Sequence, residues 1–209
     1  MLVLLGETRS ATNLKIIREN EWGRIFLKAK PTPQPFEPWG FDNGAFEAFN
    51  KKQPFPGFEF MRRLDVAYRI NSYPCVAVCP DIVAGGLTSL DFSLKWREKL
   101  RDIDWPWYLA VQDGMTVEQV EPILGWFAGI FLGGSDKFKP QAYRWCRLAH
   151  KHQKKFHYGR AGTRKKIQSA YNVGSDSLDS SFPLWTSERM DVFVKTYQGL
   201  GIQTRISGF

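Results

Sequence analysis

The feature that most constrains the fold is a repeated alternation of short apolar runs with stretches of helical spacing. The runs end in Gly, Asp, Asn or another polar residue and cover residues 2–7, 23–28, 39–46, 75–83, 107–114, 129–134, 156–160 and 175–181. The stretches of helical spacing cover residues 90–102, 116–127, 140–151 and 163–172, and Thr116 with Gln119 resembles a capping box. Strands that alternate with helices predict parallel strands joined by right-handed crossovers.

Eight strands in one domain predict a compact (β/α)8 TIM barrel. We expect residues 1–209 to form this single domain, because a chain that is 43% hydrophobic at this length can bury one sizeable core. An open doubly wound sheet is the alternative, since TIM barrels usually have about 200 to over 400 residues. The alternation is interrupted by "KAKPTPQPFEPW" at 28–39, whose four prolines predict a surface loop.

The basic charge predicts a polyanionic partner, with nucleic acid as the first candidate. The net charge is +8 and the isoelectric point is about 9.4. Lysines and arginines cluster at 95–101, 150–155 and 159–166, and the first two clusters are equally consistent with a solvated charged surface.

The remaining composition predicts a protein of the cytoplasm without a metal site. No apolar run approaches the length of a membrane span, and "MLVLLGETRS" loses its apolar character at Gly6 and Glu7, too early for a secretory signal. Three cysteines do not suggest a disulfide framework, and Cys75 and Cys79 fall in a predicted strand without further ligands at zinc-finger spacing.

Polar residues recur where the predicted strands end. They are Asp42-Asn43, Asp81, Gln112-Asp113, Gly133-Gly134, Arg160 and Asp179. Each of them alone is an ordinary turn residue. In a TIM barrel, however, the carboxyl ends of all strands meet at one face, which is where the active sites of this fold lie. The pattern predicts a convergent site without naming a reaction.

Five short motifs resemble those of the guanine transglycosylases, which exchange a base in nucleic acid for a 7-deazaguanine. The tRNA-modifying members carry DSGGFQ, a strand ending in Asp-Glu, VQGG, a Gly-Gly strand end and GIDMFDCVLPTR. The similar stretches here, in the same order, are "DNGAFEAF" (42–49), "CPDIV" (79–83), "VQDG" (111–114), "FLGG" (131–134) and "GSDSLDSSFPLW" (174–185). Residues 157–181 look closest to the smaller, DNA-acting branch found in phages and bacteria, which implies host cytoplasm for a phage-encoded enzyme.

The resemblance implies a TIM barrel and two catalytic carboxylates. Asp179 matches the nucleophile that attacks the anomeric carbon of the sugar, and Asp42 matches the general acid/base toward the departing and entering bases. A carboxylate suits the first task because it stabilises an oxocarbenium-like carbon before it bonds to it. Asp176, three residues before Asp179, is expected only to cap a turn or to orient its neighbour.

The same resemblance implies how a guanine-like base is bound. Asp81 matches the carboxylate that reads the N1–H and exocyclic amine, while Gln112 and the backbone of Gly133 and Gly134 match the groups on the O6 side. Phe46 and Tyr158 could stack on a base, although most aromatic residues of this chain should belong to the core.

The basic segment "GRAGTRKK" precedes Asp179 and offers cations together with a helix start. We expect Arg160, Arg164, Lys165 and Lys166 to bind nucleic-acid phosphates. The histidines at 150, 152 and 157 lack a carboxylate at fixed helical spacing, so we expect them on the basic surface or in the core rather than as metal ligands.

Departures from the tRNA pattern favour DNA over tRNA as the substrate. The zinc-binding segment and the extra RNA-binding domain are absent, and Asn43, Ala45, Glu47 and Asp113 replace family residues. We therefore expect a cofactor-free DNA transglycosylase that installs a base such as 7-cyano-7-deazaguanine, after the target nucleotide has been flipped out. A non-catalytic nucleic-acid-binding barrel and an N-glycosidase that releases a base to water are the alternatives. The incoming base, the sequence context and the oligomeric state stay open.

Overall fold

A computed structural model describes residues 1–28 and 30–201 and shows a closed barrel of eight parallel strands. In chain order the strands are β1 (Leu2–Leu5), β2 (Gly23–Phe26), β3 (Trp39–Phe41), β4 (Val76–Val78), β5 (Trp107–Val111), β6 (Gly129–Leu132), β7 (Lys155–Tyr158) and β8 (Ser177–Ser180). Each strand pairs with its neighbours in sequence, and β8 pairs with β1 in a register that places Asp179 beside Leu4. The predicted (β/α)8 barrel is confirmed, and each strand lies within or next to a predicted run.

Helices cover the outside of the barrel. In the described part of the chain they are α1 (Ala11–Glu19), α2 (Ala45–Asn50), α3 (Gly57–Tyr68), α4 (Gly86–Lys99), α5 (Val117–Val120), α6 (Ala142–Lys151), α7 (Arg164–Asn172) and α8 (Ser187–Gln198), with 3₁₀ helices at Glu121–Trp126, Lys139–Gln141 and Phe182–Trp185. The predicted capping box of Thr116 and Gln119 is present at the start of α5, and Thr163 caps α7 through the N–H of Lys166. No helix among these residues has both the length and the apolar character needed to span a bilayer.

The described residues of the connection from β2 to β3 form no helix, in agreement with its four prolines. The predicted loop at 28–39 is irregular until β3 begins at Trp39, apart from Ala29, which lies outside the described residues. The buried guanidinium of Arg24 holds this crossover against the barrel, because its Nε and Nη2 donate to the two carboxylate oxygens of Glu37 at 2.7 and 2.8 Å. Nη2 also donates to the carbonyl of Thr32 at 2.7 Å.

Two apolar layers separate the inside of the barrel from its helical shell. A small inner cluster contains residues such as Leu4, Ile25 and Tyr108, whereas the large outer cluster contains most of the buried tryptophans. The side chains alternate along each strand, as they must in a pleated sheet, so Leu178 faces the helices and Asp179 faces the barrel axis. This alternation decides which polar residues near the strand ends face the mouth of the barrel.

Candidate active site

The candidate site lies at the mouth of the barrel where the strands end. Asp42, Asp81, Gln112 and Arg160 immediately follow or closely follow β3, β4, β5 and β7, and Asp179 is the third residue of β8. The structure thus brings five of the predicted site residues to one end of the barrel, in the position at which this fold builds its active sites.

The carboxylate of Asp179 is held from one side. Its Oδ1 lies 2.9 Å from Nε2 of His157 and accepts a hydrogen bond from the backbone N–H of Arg160 at 3.3 Å. Arg160 adopts a left-handed conformation (φ 56°), which is uncommon for a residue with a side chain. Both of these contacts end on Oδ1. The carboxylate is therefore oriented without engagement of its second oxygen by any hydrogen bond in the described part of the chain.

His157 is the main residue of the site that sequence reasoning did not assign to it. It is fully buried, as expected for a core histidine, and its ring stacks on Phe131 with 4.8 Å between centroids. Its Nδ1 lies 2.8 Å from the hydroxyl of Ser177, so in the neutral ring Ser177 donates to Nδ1 while the Nε2–H donates to Asp179. The period-2 alternation of "FHYG" could have identified His157 as facing the barrel interior.

Asp42 occupies a different electrostatic environment from Asp179. Its Oδ1 accepts the N–H of Gly44 at 2.8 Å in a tight turn in which Gly44 has φ 85°. Burial raises the pKa of Asp42 to about 6, and repulsion by the Asp179 carboxylate adds to the increase, while the Gly44 hydrogen bond and the Arg63 guanidinium oppose it. A carboxyl group with this pKa can exchange a proton near neutral pH.

Arg63 of α3 fixes the backbone around Asp42. Its guanidinium donates to the carbonyl oxygens of Leu27, Asp42 and Asn43, at 3.2 Å and 2.9 Å for the latter two. Because three backbone acceptors share one buried cation, the turn that carries Asp42 is tied to both the β2 end and the third helix. Sequence reasoning missed this residue, which is about twenty positions from the turn it supports.

Asp81 lies in a buried amide network. Its Oδ1 accepts from Nδ2 of Asn43 at 2.7 Å and its Oδ2 from Nε2 of Gln112 at 3.0 Å. Burial raises the pKa of Asp81 to about 7, because it outweighs the two amide donors, and the Asp42 carboxylate raises it further. Nε2 of Gln112 also donates to the Ser89 hydroxyl at 2.7 Å, whereas its buried Oε1 has no hydrogen-bond partner among the described residues. An unpaired buried acceptor is costly, and a ligand that donates to it would remove that cost.

The two glycines at the end of β6 differ in what they can offer a ligand. The N–H of Gly133 already donates to the carbonyl of Val111 at 2.9 Å, whereas no hydrogen bond described in this chain uses the N–H of Gly134. Asp113 holds the adjoining loop, because it accepts both the N–H and the hydroxyl of Ser135 at 2.6 Å. At this strand end, the N–H of Gly134 is thus left without a partner among the described residues.

Arg160 connects the aromatic and acidic parts of the mouth. Its guanidinium donates to the Gly134 carbonyl, and its Cζ lies 4.4 Å from the ring centroid of Phe46. Phe46 is 41% exposed, so one region of its ring remains accessible beside the cation. The prediction that Tyr158 stacks on a base is wrong, because Tyr158 is only 2% exposed and packs in the outer apolar cluster.

The other predicted phosphate contacts lie in the first turn of α7. Arg164 and Lys165 are exposed, whereas Nζ of Lys166 pairs with Asp136 at 2.7 Å. Lys139, which sequence reasoning missed, is buried nearby and donates to the carbonyls of Leu132 and Gly159 at 2.6 Å. Burial lowers the pKa of Lys139 to about 7, and the Arg160 cation adds to the decrease.

Asp176 belongs to the opposite end of the barrel. Its carboxylate accepts the N–H of Phe156 at 2.9 Å and pairs with Nζ of Lys155 at 2.8 Å. Nε2 of His150 lies 2.9 Å from its Oδ2. These contacts fasten the start of β8 to β7 and agree with the expected structural role.

Within residues 1–28 and 30–201, no group of three or more His, Cys, Asp or Glu side chains is arranged to hold a metal ion.

No protein-family model matches this sequence, and no match was found among curated proteins.

Proposed function

We propose that this protein is a DNA guanine transglycosylase, with Asp179 as the nucleophile and Asp42 as the general acid/base. The observation that carries the proposal is the pair of carboxylates at one barrel mouth in unlike surroundings. One is oriented by His157 and a backbone N–H, and the other has a pKa raised to about 6. Enzymes that cleave and re-form a glycosidic bond with retention of anomeric configuration typically use two carboxyl groups, one as nucleophile and one as general acid/base.

The reaction has two displacements. Asp179 forms a bond to the anomeric carbon of the deoxyribose as the bond to N9 of guanine breaks, and the departing guanine takes the electron pair and a proton from Asp42. The incoming 7-deazaguanine then gives its N9 proton to Asp42 and attacks the same carbon. This second attack breaks the ester bond to Asp179 and restores both carboxyl groups.

The base would be read by the network around Asp81. An edge of guanine carries two adjacent donors, N1–H and the exocyclic amine, beside the O6 acceptor. Asp81 and the unpaired Oε1 of Gln112 provide acceptors for the donors, and the N–H of Gly134 provides a donor for O6. A 7-cyano-7-deazaguanine presents the same edge, which makes it suitable as the incoming base.

The proposal is tested by following the uptake of labelled 7-cyano-7-deazaguanine into guanine-containing DNA. We expect uptake by the wild-type protein, none by Asp179→Asn, and a loss of about 10²- to 10⁴-fold in Asp42→Asn, the range for removal of a general acid/base. Asp102→Asn is the matched control, because Asp102 has an 88% exposed side chain in the turn after α4. Unchanged uptake in both site variants would show that the two carboxylates are wrongly assigned.

Three further measurements on the same protein and DNA distinguish the alternatives. Release of free guanine without a second base would identify an N-glycosidase. Salt-dependent DNA binding without exchange of any deazaguanine would identify a binding barrel. A transglycosylase instead leaves a covalent protein–DNA adduct when the incoming base is withheld, which denaturing electrophoresis detects.

A further inference from the structure

An aromatic ledge, defined here as Phe182, Trp185 and Arg189, follows directly after the strand that carries Asp179. The two rings lie 5.4 Å apart between centroids, and Cζ of Arg189 lies 4.3 Å from the centroid of Phe182 and 5.0 Å from that of Trp185. The three side chains therefore form one continuous surface of two aromatic rings and a guanidinium.

The ledge is open to solvent and carries an unneutralised positive charge. Trp185 is 66% exposed, and Arg189 is partly exposed. Among the described residues no carboxylate lies within ion-pair distance of Arg189, although many arginines and lysines of this protein have such a partner. A large exposed indole beside a free guanidinium is the composition of surfaces that stack nucleic-acid bases.

The ledge lies against the loop between β7 and α7. A Cβ placed on Gly162 would come within 2.5 Å of Cβ of Phe182 and of the Ser180 hydroxyl oxygen, so only glycine allows this close approach. The same loop leads into the first turn of α7, with Arg164 and Lys165. The aromatic surface and the basic turn are thus neighbours at the barrel mouth.

The charges of this basic turn favour an anionic partner. The first turn of α7 contains three basic residues and no acidic one, which is the opposite of what the helix dipole favours. Lys166 is neutralised by Asp136, but no ion pair of Arg164 or Lys165 occurs in the described part of the chain. A phosphate at this position would satisfy both the free N–H groups of the helix start and the two cations.

We propose that the aromatic ledge binds single-stranded DNA next to the flipped target nucleotide. Trp185 stacks on the neighbouring base, while Arg164 and Lys165 contact the adjoining phosphates. The inference rests on the proposed function for its choice of DNA, and it adds the route by which the strand reaches the mouth of the barrel. Because stacking does not depend on base edges, the ledge supplies affinity and positioning without sequence preference.

The test is fluorescence anisotropy of a labelled guanine-containing single-stranded oligonucleotide with the full-length protein. We expect Trp185→Ala to weaken binding by about 5- to 100-fold, the range for loss of one stacked base. Trp185→Phe, which keeps an aromatic ring, should retain most of the wild-type affinity. Trp126→Ala is the matched control, because Trp126 is 53% exposed but lies just before β6 at the opposite end of the barrel.

A salt titration separates stacking from phosphate contacts. Arg164→Ala should reduce the slope of log affinity against log salt by about 0.7, the value for one single-strand phosphate contact, whereas Trp185→Ala should leave the slope unchanged. Wild-type affinity in Trp185→Ala would overturn the ledge proposal. So would a change in sedimentation without a change in DNA affinity, because it would identify a second copy of the chain as the occupant.

The exchange assay keeps this inference separate from the proposed function. Base exchange with unchanged DNA affinity in Trp185→Ala would refute the proposed role of the ledge in DNA binding, but it would not affect the proposed transglycosylase activity. Binding that depends on Trp185 without any base exchange would refute the transglycosylase and leave the ledge as a single-strand binding surface.

Discussion

Replacing Asp81 by asparagine should change how the stability of the protein depends on pH. Burial raises the pKa of Asp81 from 3.8 to about 7, so between these values the folded state holds a proton that the unfolded chain has released. Stability must then fall as pH rises through this range. At about 1.4 kcal/mol for each pH unit of displacement, the loss reaches about 4 kcal/mol by pH 8.

The assay is urea unfolding of the wild-type protein and of Asp81→Asn between about pH 4 and pH 8. We expect the free energy of unfolding of the wild-type protein to fall by about 4 kcal/mol more than that of the variant across this range. The comparison cancels the shared titrating groups that do not interact with Asp81, whereas Asp42, which does, contributes to the difference. It also cancels the pH-independent cost of presenting two amide donors, Asn43 and Gln112, with one oxygen instead of two.

Asp176→Asn provides a control of opposite sign. Burial alone would raise the pKa of Asp176, but hydrogen bonds from Lys155 and His150 and from the N–H of Phe156 lower it overall. The stability that this carboxylate contributes is therefore present at neutral pH and lost as pH falls below about 4. Parallel curves for the wild-type protein and Asp81→Asn would refute the claim that burial raises the pKa of Asp81. A loss of stability at high pH that depends on Asp176 would refute the claim that its hydrogen bonds lower the pKa of this carboxylate.

Three further outcomes are expected. Arg24→Met leaves the Glu37 carboxylate buried without its partner and should cost about 3–5 kcal/mol in urea unfolding, whereas adding Glu37→Met should recover most of that loss. His157→Leu removes the hydrogen bond that orients Asp179, so it should lower kcat for base exchange by about tenfold or more with little change in KM; an unchanged kcat would show that His157 does not position the nucleophile. Gly162→Ala should lower the melting temperature measured by circular dichroism, because its methyl group has no room; an unchanged value would show that the two loops separate freely.

The barrel could be predicted from sequence because most strands lie in short apolar runs that stop at a polar residue, although β8 (SLDS) contains only one apolar residue. The helices were less visible. In α1 only Ile17 is buried, and in α8 only Met190 and Phe193 are, so the apolar faces of these helices are narrow. The third helix, α3, was not predicted either, although it buries Phe60, Leu64 and Ala67 on one face. The prolines of the β2–β3 crossover predicted that this segment is a loop without a helix. They did not predict the buried ion pair of Arg24 and Glu37, which holds the loop against the barrel.

The position of the site could be predicted, and the partners of its residues could not. Parallel strands bring their ends together whatever their spacing in the chain, so Asp42, Asp81 and Asp179 could be assigned to one face. Arg63 and Lys139 support that face from a helix and from a 3₁₀ turn, through contacts with backbone carbonyls that leave no pattern in the sequence. His157 could have been placed by strand alternation, but its hydrogen bond to Asp179 depends on the register between β7 and β8.

The seam between β1 and β8 makes closure of the barrel a condition for the proposed reaction. Leu2 pairs with Ser177 and Leu4 with Asp179, so the first and last strands must meet before the carboxylate has its place. During synthesis an emerging chain holds Asp42, Asp81 and Gln112 long before this last strand leaves the ribosome. In the proposed reaction, the incomplete chain therefore has base-binding residues but no positioned nucleophile, and it gains one only when the barrel closes.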